Sequence, residues 1–181
     1  MLTSLSSQPF LLSLWGFVVL TLSTLAFVQQ AGLRINTSPS IPLGIYRITS
    51  TPLTVGSYVL LCPENKEPFI TAQKRGYIGS GYCPGGLGYM FKRVAALPND
   101  IITTTANGMY INGRLYPNSK PFKHDALNRA LPIWHATQTR LKAKEVILMT
   151  KNDPKSFDAR YFGPIPQQQI ISVVKPVLIW Q

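Results

Sequence analysis

Charge is missing from the start of this chain. No Asp, Glu, Lys or Arg precedes Arg34, so all 18 basic and all seven acidic residues of the 181 fall in 34–181. That asymmetry excludes an ordinary soluble globular chain from end to end. A second long apolar run is also missing, which excludes a multi-span membrane protein. Cysteine is scarce: Cys62 and Cys83 are the pair present, and neither has a Cys or His two to four residues away, so zinc spacing is absent. The two histidines, His124 and His135, carry no motif around them; a Ser-His-Asp triad would have to be built from His124 and its sequence neighbour Asp125. Disorder is excluded by composition, with 45% of residues hydrophobic and 10% aromatic. The glycines cluster in 76–88, but Gly79-Ser80-Gly81-Tyr82-Cys83-Pro84 puts proline where a nucleotide-binding turn needs glycine. It reads as a surface loop tied down by Cys83, with a substrate-facing loop as the other reading.

The neutral block itself holds Phe10 to Val28, a mostly apolar run that as a helix would rise about 28 Å, close to the hydrocarbon thickness of a bilayer. This predicts a membrane-inserted segment over residues 1–33, either a retained anchor or the apolar region of a removable signal peptide. In an exported domain Cys62 and Cys83 would pair, and both precede proline in turn-like chain; two buried free thiols are the other reading. Beyond residue 34 the chain reads as mainly β. Gly56–Leu61, Tyr89–Ala96, Ile101–Thr105, Glu145–Thr150 and Ile170–Trp180 are short apolar or β-branched runs. Asn107-Gly108 and Asn112-Gly113 are tight-turn dipeptides. Pro176 predicts an edge or a bend in the last strand. Residues 64–76 alone suit a short helix. One β domain over 34–181 follows.

Three stretches carry polar residues that a plain β domain does not need. In Ser38-Pro39-Ser40-Ile41-Pro42, two prolines stiffen the chain around a hydroxyl. In Met90-Phe91-Lys92-Arg93-Val94, strand alternation puts Lys92 on one face with Met90 and Val94 and points Arg93 the other way. An amine in apolar surroundings loses its proton more readily and can serve as a general base. A lysine that snorkels to the surface satisfies the same pattern. In Ser156-Phe157-Asp158-Ala159-Arg160, Asp158 and Arg160 stand two apart and can pair, with Ser156 on the same face if extended.

Taken in order, Ser40-Ile41-Pro42, then Phe91-Lys92-Arg93-Val94 with Leu97-Pro98-Asn99-Asp100, then Ser156-Phe157-Asp158-Ala159-Arg160-Tyr161-Phe162-Gly163, resemble the boxes of the type I signal (leader) peptidases, the Ser/Lys proteases. Asn36-Thr37, Leu43-Gly44-Ile45-Tyr46, Arg75-Gly76-Tyr77-Ile78-Gly79 and Cys83-Pro84-Gly85-Gly86 are similar to the conjugative-transfer branch, the TraF peptidases. The resemblance covers residues 30–181. It implies a compact signal-peptidase-like antiparallel β core behind one N-terminal membrane helix. It implies Ser40 as nucleophile, Lys92 as general base, Ser156 as the hydroxyl that orients the amine, and Asp158 with Arg160 as the ion pair supporting the site. The oxyanion would be held by the Ser40 N–H, and Ser38 stands where leader peptidases place a second donor, a position at which the conjugative branch is looser. Thr150-Lys151-Asn152-Asp153 departs from the Gly-Asp-Asn-Arg run of leader peptidases.

The implied activity is serine endopeptidase action with no cofactor and no metal. The implied partners are a pilin precursor, or another exported preprotein, and inner-membrane lipid. The resemblance places the catalytic domain on the periplasmic side and extends to head-to-tail cyclisation of the cut pilin. A general leader peptidase and a non-catalytic membrane-anchored assembly factor are the competing readings. The seven Lys and Arg between Arg114 and Lys144, against the lone acid Asp125, form a candidate basic face; no nucleic-acid partner is expected, and a solvated or lipid-facing surface accounts for it.

Overall fold

The computed structural model describes residues 8–180. Helix α1 spans Gln8–Gln30. Its described side chains are exposed, and the hydroxyls of Thr21 and Thr24 donate back to the carbonyls of Phe17 and Leu20, both at 2.8 Å. The side chains of 8–12, 25 and 27–29 lie outside the described set, so the apolar run is described only in part. Among the described residues, no helix is long and apolar enough to cross a membrane.

The rest is mainly antiparallel sheet. β1 (Leu33–Asn36) and β2 (Gly44–Thr49) pair and enclose the loop that carries Ser40. β3 (Tyr58–Leu61) leads to α2 (Phe69–Lys74) and β4 (Ser80–Cys83). β5 (Met90–Ala96) is followed by β6 (Ile101–Thr105), β7 (Gly108–Ile111) and β8 (Arg114–Leu115), a meander whose second turn puts Asn112 and Gly113 at positive φ. A long irregular excursion ends at β9 (Thr139–Arg140). β10 (Glu145–Met149), the one-turn helix α3 (Ala159–Phe162), β11 (Ile165–Pro166) and β12 (Ile170–Ile179) complete the chain. Seven strands form one sheet in the order β1-β2-β12-β3-β5-β10-β11, and four form another in the order β8-β7-β6-β9.

Pro176 shows how the last strand tolerates its missing N–H. β12 lies inside the sheet, between β2 and β3, rather than at its edge. Its pairing with β3 ends at Val174, however, while its pairing with β2 runs on to Ile179 with a register shift after Pro176. Pro176 therefore sits past the end of β3, at a bulge, where one side of the strand needs no donor. Close approach fixes a glycine nearby: a Cβ on Gly44 would stand 2.2 Å from the Leu178 carbonyl oxygen.

Two apolar clusters frame the β5 strand. One holds Val59, Met90, Val94, Leu148 and Phe157, with the rings of Phe157 and Tyr161 stacked 5.7 Å apart. The other holds Ile41, Tyr46, Leu60 and Val174. Ile41 is fully buried beside Ser40 and anchors that loop, a burial worth about 1.5–3 kcal/mol. Cys62 and Cys83 are bonded. The disulfide closes the loop that contains α2 and Tyr77, which lies between the two cysteines.

Candidate active site

The loop between β1 and β2 is built around Asn36. Its buried side-chain amide nitrogen faces the carbonyls of Ser38 (2.8 Å), Ile41 (3.0 Å) and Pro42 (3.1 Å), and its Oδ1 accepts from the Ser38 N–H at 3.1 Å. Tyr46 donates its hydroxyl to the Pro42 carbonyl at 2.6 Å. The Thr150 hydroxyl, at the end of β10, donates to the Ser40 carbonyl. The loop is thus held from both ends and from beneath, and Ser40 has little freedom. Asn36 and Thr150 fall in stretches already set against the family's boxes, but the sequence assigns neither a role. An Asn before a Ser-Pro turn is a weak signal, and the role of Thr150 depends on a contact 110 residues away in sequence.

Lys92 enters from β5, opposite Val59 of β3, with 2% of its surface exposed. Met90 and Val94 are buried on the same face, while Arg93 points away and lies over the Tyr58 ring. The snorkelling alternative is thereby overturned: both strand neighbours are buried in core, and the amine ends on the Ser40 and Ser156 hydroxyls rather than at the surface. Lys92 Nζ lies 3.0 Å from Ser40 Oγ and 2.6 Å from Ser156 Oγ, and the two hydroxyls are 2.9 Å apart. Burial pushes the Lys92 amine down to about 8. The Asp158 carboxylate opposes this, the Arg160 guanidinium adds to it, and Asp153 opposes it more weakly.

Ser38 Oγ accepts from the Ser40 N–H at 3.3 Å and donates to Ser40 Oγ at 3.0 Å. Behind Ser156, the Arg160 guanidinium makes a two-point pair with Asp158 (Nε to Oδ1 2.8 Å, Nη2 to Oδ2 2.9 Å) and donates to the Ser156 carbonyl at 2.9 Å. Both members are sealed from solvent. Asp158 also caps α3 by accepting from the Arg160 N–H at 3.1 Å. One short turn therefore supplies the third hydroxyl and the pair that fixes it. Cys62 and Cys83 stand apart from these side chains.

A cavity of about 520 Å³ opens onto Ser40, Lys92, Ser156 and Ser38. Its opposite wall comes from the irregular excursion: Phe122, His124, Asp125 and Leu131. Neither histidine completes a triad. The hydroxyl of Ser40 is engaged by Lys92, Ser156 and Ser38, and Asp125 is engaged by Tyr77, Arg129 and Leu127. Among the described residues, no group of three His, Cys, Asp or Glu is placed to hold a metal ion.

A buried lysine against a serine on a strand-flanking loop is a Ser/Lys arrangement, and the sequence family agrees with it. The model of the signal peptidases, peptidase S26, matches residues 7–180. This chain belongs to the signal peptidase family, peptidase S26. Among similar members, the plasmid transfer protein TraF of Escherichia coli is 46% identical over 150 residues, covering 83% of this chain and 84% of the relative. A second Escherichia coli plasmid transfer protein TraF is 42% identical over 165 residues, covering 91% and 92%. The conjugal transfer protein TraF of Agrobacterium tumefaciens is 33% identical over 169 residues, covering 92% and 94%. A crystal structure of a signal peptidase I from Enterococcus faecalis aligns at 17% identity with a TM-score of 0.40, covering 70% of this chain and all of that one. In this S26 family member Ser40 Oγ and Lys92 Nζ, 3.0 Å apart, both lie within the matched residues.

Proposed function

We propose that this chain is a membrane-associated serine endopeptidase that processes an exported pilin precursor for conjugative plasmid transfer. The observation that carries the reading is the buried Lys92 amine at hydrogen-bond distance from the Ser40 hydroxyl. Unprotonated Lys92 accepts the Ser40 proton as Oγ attacks the scissile carbonyl. Ser156 accepts an N–H from the amine and aims its lone pair at Ser40. The oxyanion takes the Ser40 N–H, and the Ser38 hydroxyl turns from that amide to donate to the same oxygen. Lys92 then passes its proton to the leaving amine, leaving an acyl-enzyme.

Similarity to the TraF proteins supports the conjugative setting, and the resemblance to that branch extends the proposal to cyclisation. The precursor's own N-terminal amine attacks the acyl-enzyme and gives up a proton to Lys92, a peptide bond forms, the Ser40 ester breaks, and Lys92 passes that proton to Ser40. Tethering of both ends at one site favours the amine over water.

The location is part of the same proposal. Residues 1–33 carry no charge and precede β1 directly, so anchoring there holds the domain 34–181 against the periplasmic face of the inner membrane, with Ser40 near the lipid. The Cys62–Cys83 bond suits an oxidising compartment.

The test is co-expression with a candidate pilin precursor and mass spectrometry of the product. A cut chain lighter than the linear product by one water is expected, and Ser40→Ala should leave only intact precursor. Processing that survives both Ser40→Ala and Lys92→Ala would sink the catalytic assignment.

A further inference from the structure

A second cavity, of about 610 Å³, lies on the other side of Phe122 from Ser40. The β6–β7 hairpin forms one wall, the strap from Ser119 to Lys123 another, and Trp134 and Met109 lie among its apolar lining. Phe122 lines both cavities, and its backbone N–H is held by the Tyr161 hydroxyl at 3.1 Å. The partition is therefore one aromatic side chain, 44% exposed, on a fixed backbone.

The two cavities differ in charge. The one at Ser40 mixes signs, with Asp125 and Asp153 beside Lys92, Lys155 and His124. The second is lined by Lys120, Lys123 and His135 and by no acid, and the Arg160 that reaches it is already paired with Asp158. The second cavity is also pre-shaped. The Trp134 backbone N–H donates to the Arg160 carbonyl at 2.8 Å, and the indole ring packs on Gly163, where a Cβ would stand 2.8 Å away. Gly163 itself has φ 70° at the end of α3, so glycine is required there twice over.

We propose that this second cavity extends the substrate groove and takes an acidic, apolar segment of the exported precursor, the same chain that is held at Ser40 and passes over Phe122. The proposal rests on the peptidase reading for its occupant. Two exposed lysines supply the attraction for carboxylates, and the indole with the Phe122 ring supplies apolar contact. A chain held at both cavities is tethered at the second by its first contact, which raises occupancy at the dyad without any new contact there.

The experiment uses the full chain carrying Ser40→Ala and follows the Trp134 indole N–H resonance. The probes are acetyl-Phe-Glu-Ile-Glu-amide and its charge-reversed partner acetyl-Phe-Lys-Ile-Lys-amide. The Glu peptide should shift the Trp134 signal and bind about tenfold tighter than the Lys peptide at low salt. Lys120→Glu with Lys123→Glu should reverse that order. Equal affinities, or a silent Trp134, would overturn the proposal. A Trp134 response to phosphatidylglycerol vesicles but not to the Glu peptide would assign the cavity to a lipid headgroup and overturn it equally. Because Ser40→Ala removes the hydroxyl, this binding result is independent of turnover. If the Glu peptide binds but the unsubstituted chain processes no precursor, the peptidase reading fails and the acidic-peptide site stands. In the active chain, the double charge reversal and Ala106→Trp, which fills the cavity from its lining, should each raise KM for the precursor about tenfold and change kcat by less than about twofold. An unchanged KM in both would remove the cavity from the substrate path.

Discussion

Two Asp–Arg pairs flank the cavity at Ser40, and they do different work. Asp158–Arg160 lies behind the dyad with side chains 0% and 1% exposed; Asp125–Arg129 lies on the opposite wall at 9% and 35%. Every direction of the Arg160 fork is used. Beyond Asp158 it donates to the carbonyls of Asn118, Lys120, Pro154 and Ser156, so one guanidinium ties three segments of chain together. Asp125 spends most of its bonds within its own excursion, on Arg129 and the N–H groups of Leu127 and Arg129, with the Tyr77 hydroxyl as its side-chain tie to the rest of the molecule. Burial opposes its charge, yet the Tyr77 hydroxyl together with Arg129 and Leu127 holds its carboxyl well below the usual carboxylate range. The same chemical pair thus fixes the Ser156 hydroxyl where both partners are sealed and merely shapes a wall where they are not.

The largest effect expected from breaking this contrast is at Arg160. Arg160→Met leaves a buried carboxylate and four carbonyls without their donor, and should cost about 3–5 kcal/mol in urea unfolding along with all processing. Arg160→Lys keeps the charge without the fork and should recover only part of the stability. Next comes pH. Since the reaction needs the unprotonated Lys92, kcat/KM should rise with pH through about 8. Asp153→Asn removes a charge that favours the ammonium and should move that midpoint down, whereas Asp125→Asn, whose charge does not act on Lys92, should leave it in place. The smallest effect is at Asp125 itself: Asp125→Asn should raise KM for the precursor a few-fold, roughly the weight of one exposed pair, with kcat retained. A shifted pH midpoint in that variant would erase the distinction between the two walls.

What the sequence discloses follows the same division. The dyad side is legible because three boxes in order resemble a known family; its short-range signals alone leave Lys92 free to snorkel. Alternation at Met90, Lys92 and Val94 sets the face of the lysine, prolines mark the serine loop, and the two-residue spacing of Asp158 and Arg160 allows their pairing. β3, β5, β6, β10 and β12 follow their apolar runs closely and the helix expected within 64–76 is Phe69–Lys74, whereas β1, β2, β4, β11 and the one-turn α3 are not anticipated. The far wall is not legible. Between Tyr116 and Gln138 the chain makes a single isolated bridge, His124 to Ala130, and has no periodicity to read. Its residues reach the cavity through long-range ties to Tyr77, Arg75 and Tyr161, which sequence spacing does not encode. Asn36 and Thr150 escape for a related reason, since each acts on backbone carbonyls and leaves no partner residue type as a trace. Of the two outcomes Pro176 allows, an edge or a bend, it takes the bend, because an internal strand can still have a locally unpaired stretch.

The placement of β12 sets when the dyad can exist. The serine loop belongs to β1 and β2, the lysine to β5, and the sheet order joins those two halves only through the last strand of the chain. Its final residues also reach back to the loop itself, where the Trp180 N–H donates to the Leu43 carbonyl at 3.0 Å. On the peptidase reading proposed above, Ser40 and Lys92 lie in unconnected pieces of sheet until Ile170–Ile179 is in place between them. The last strand thus acts as a timer: the two side chains meet only after β12 has docked.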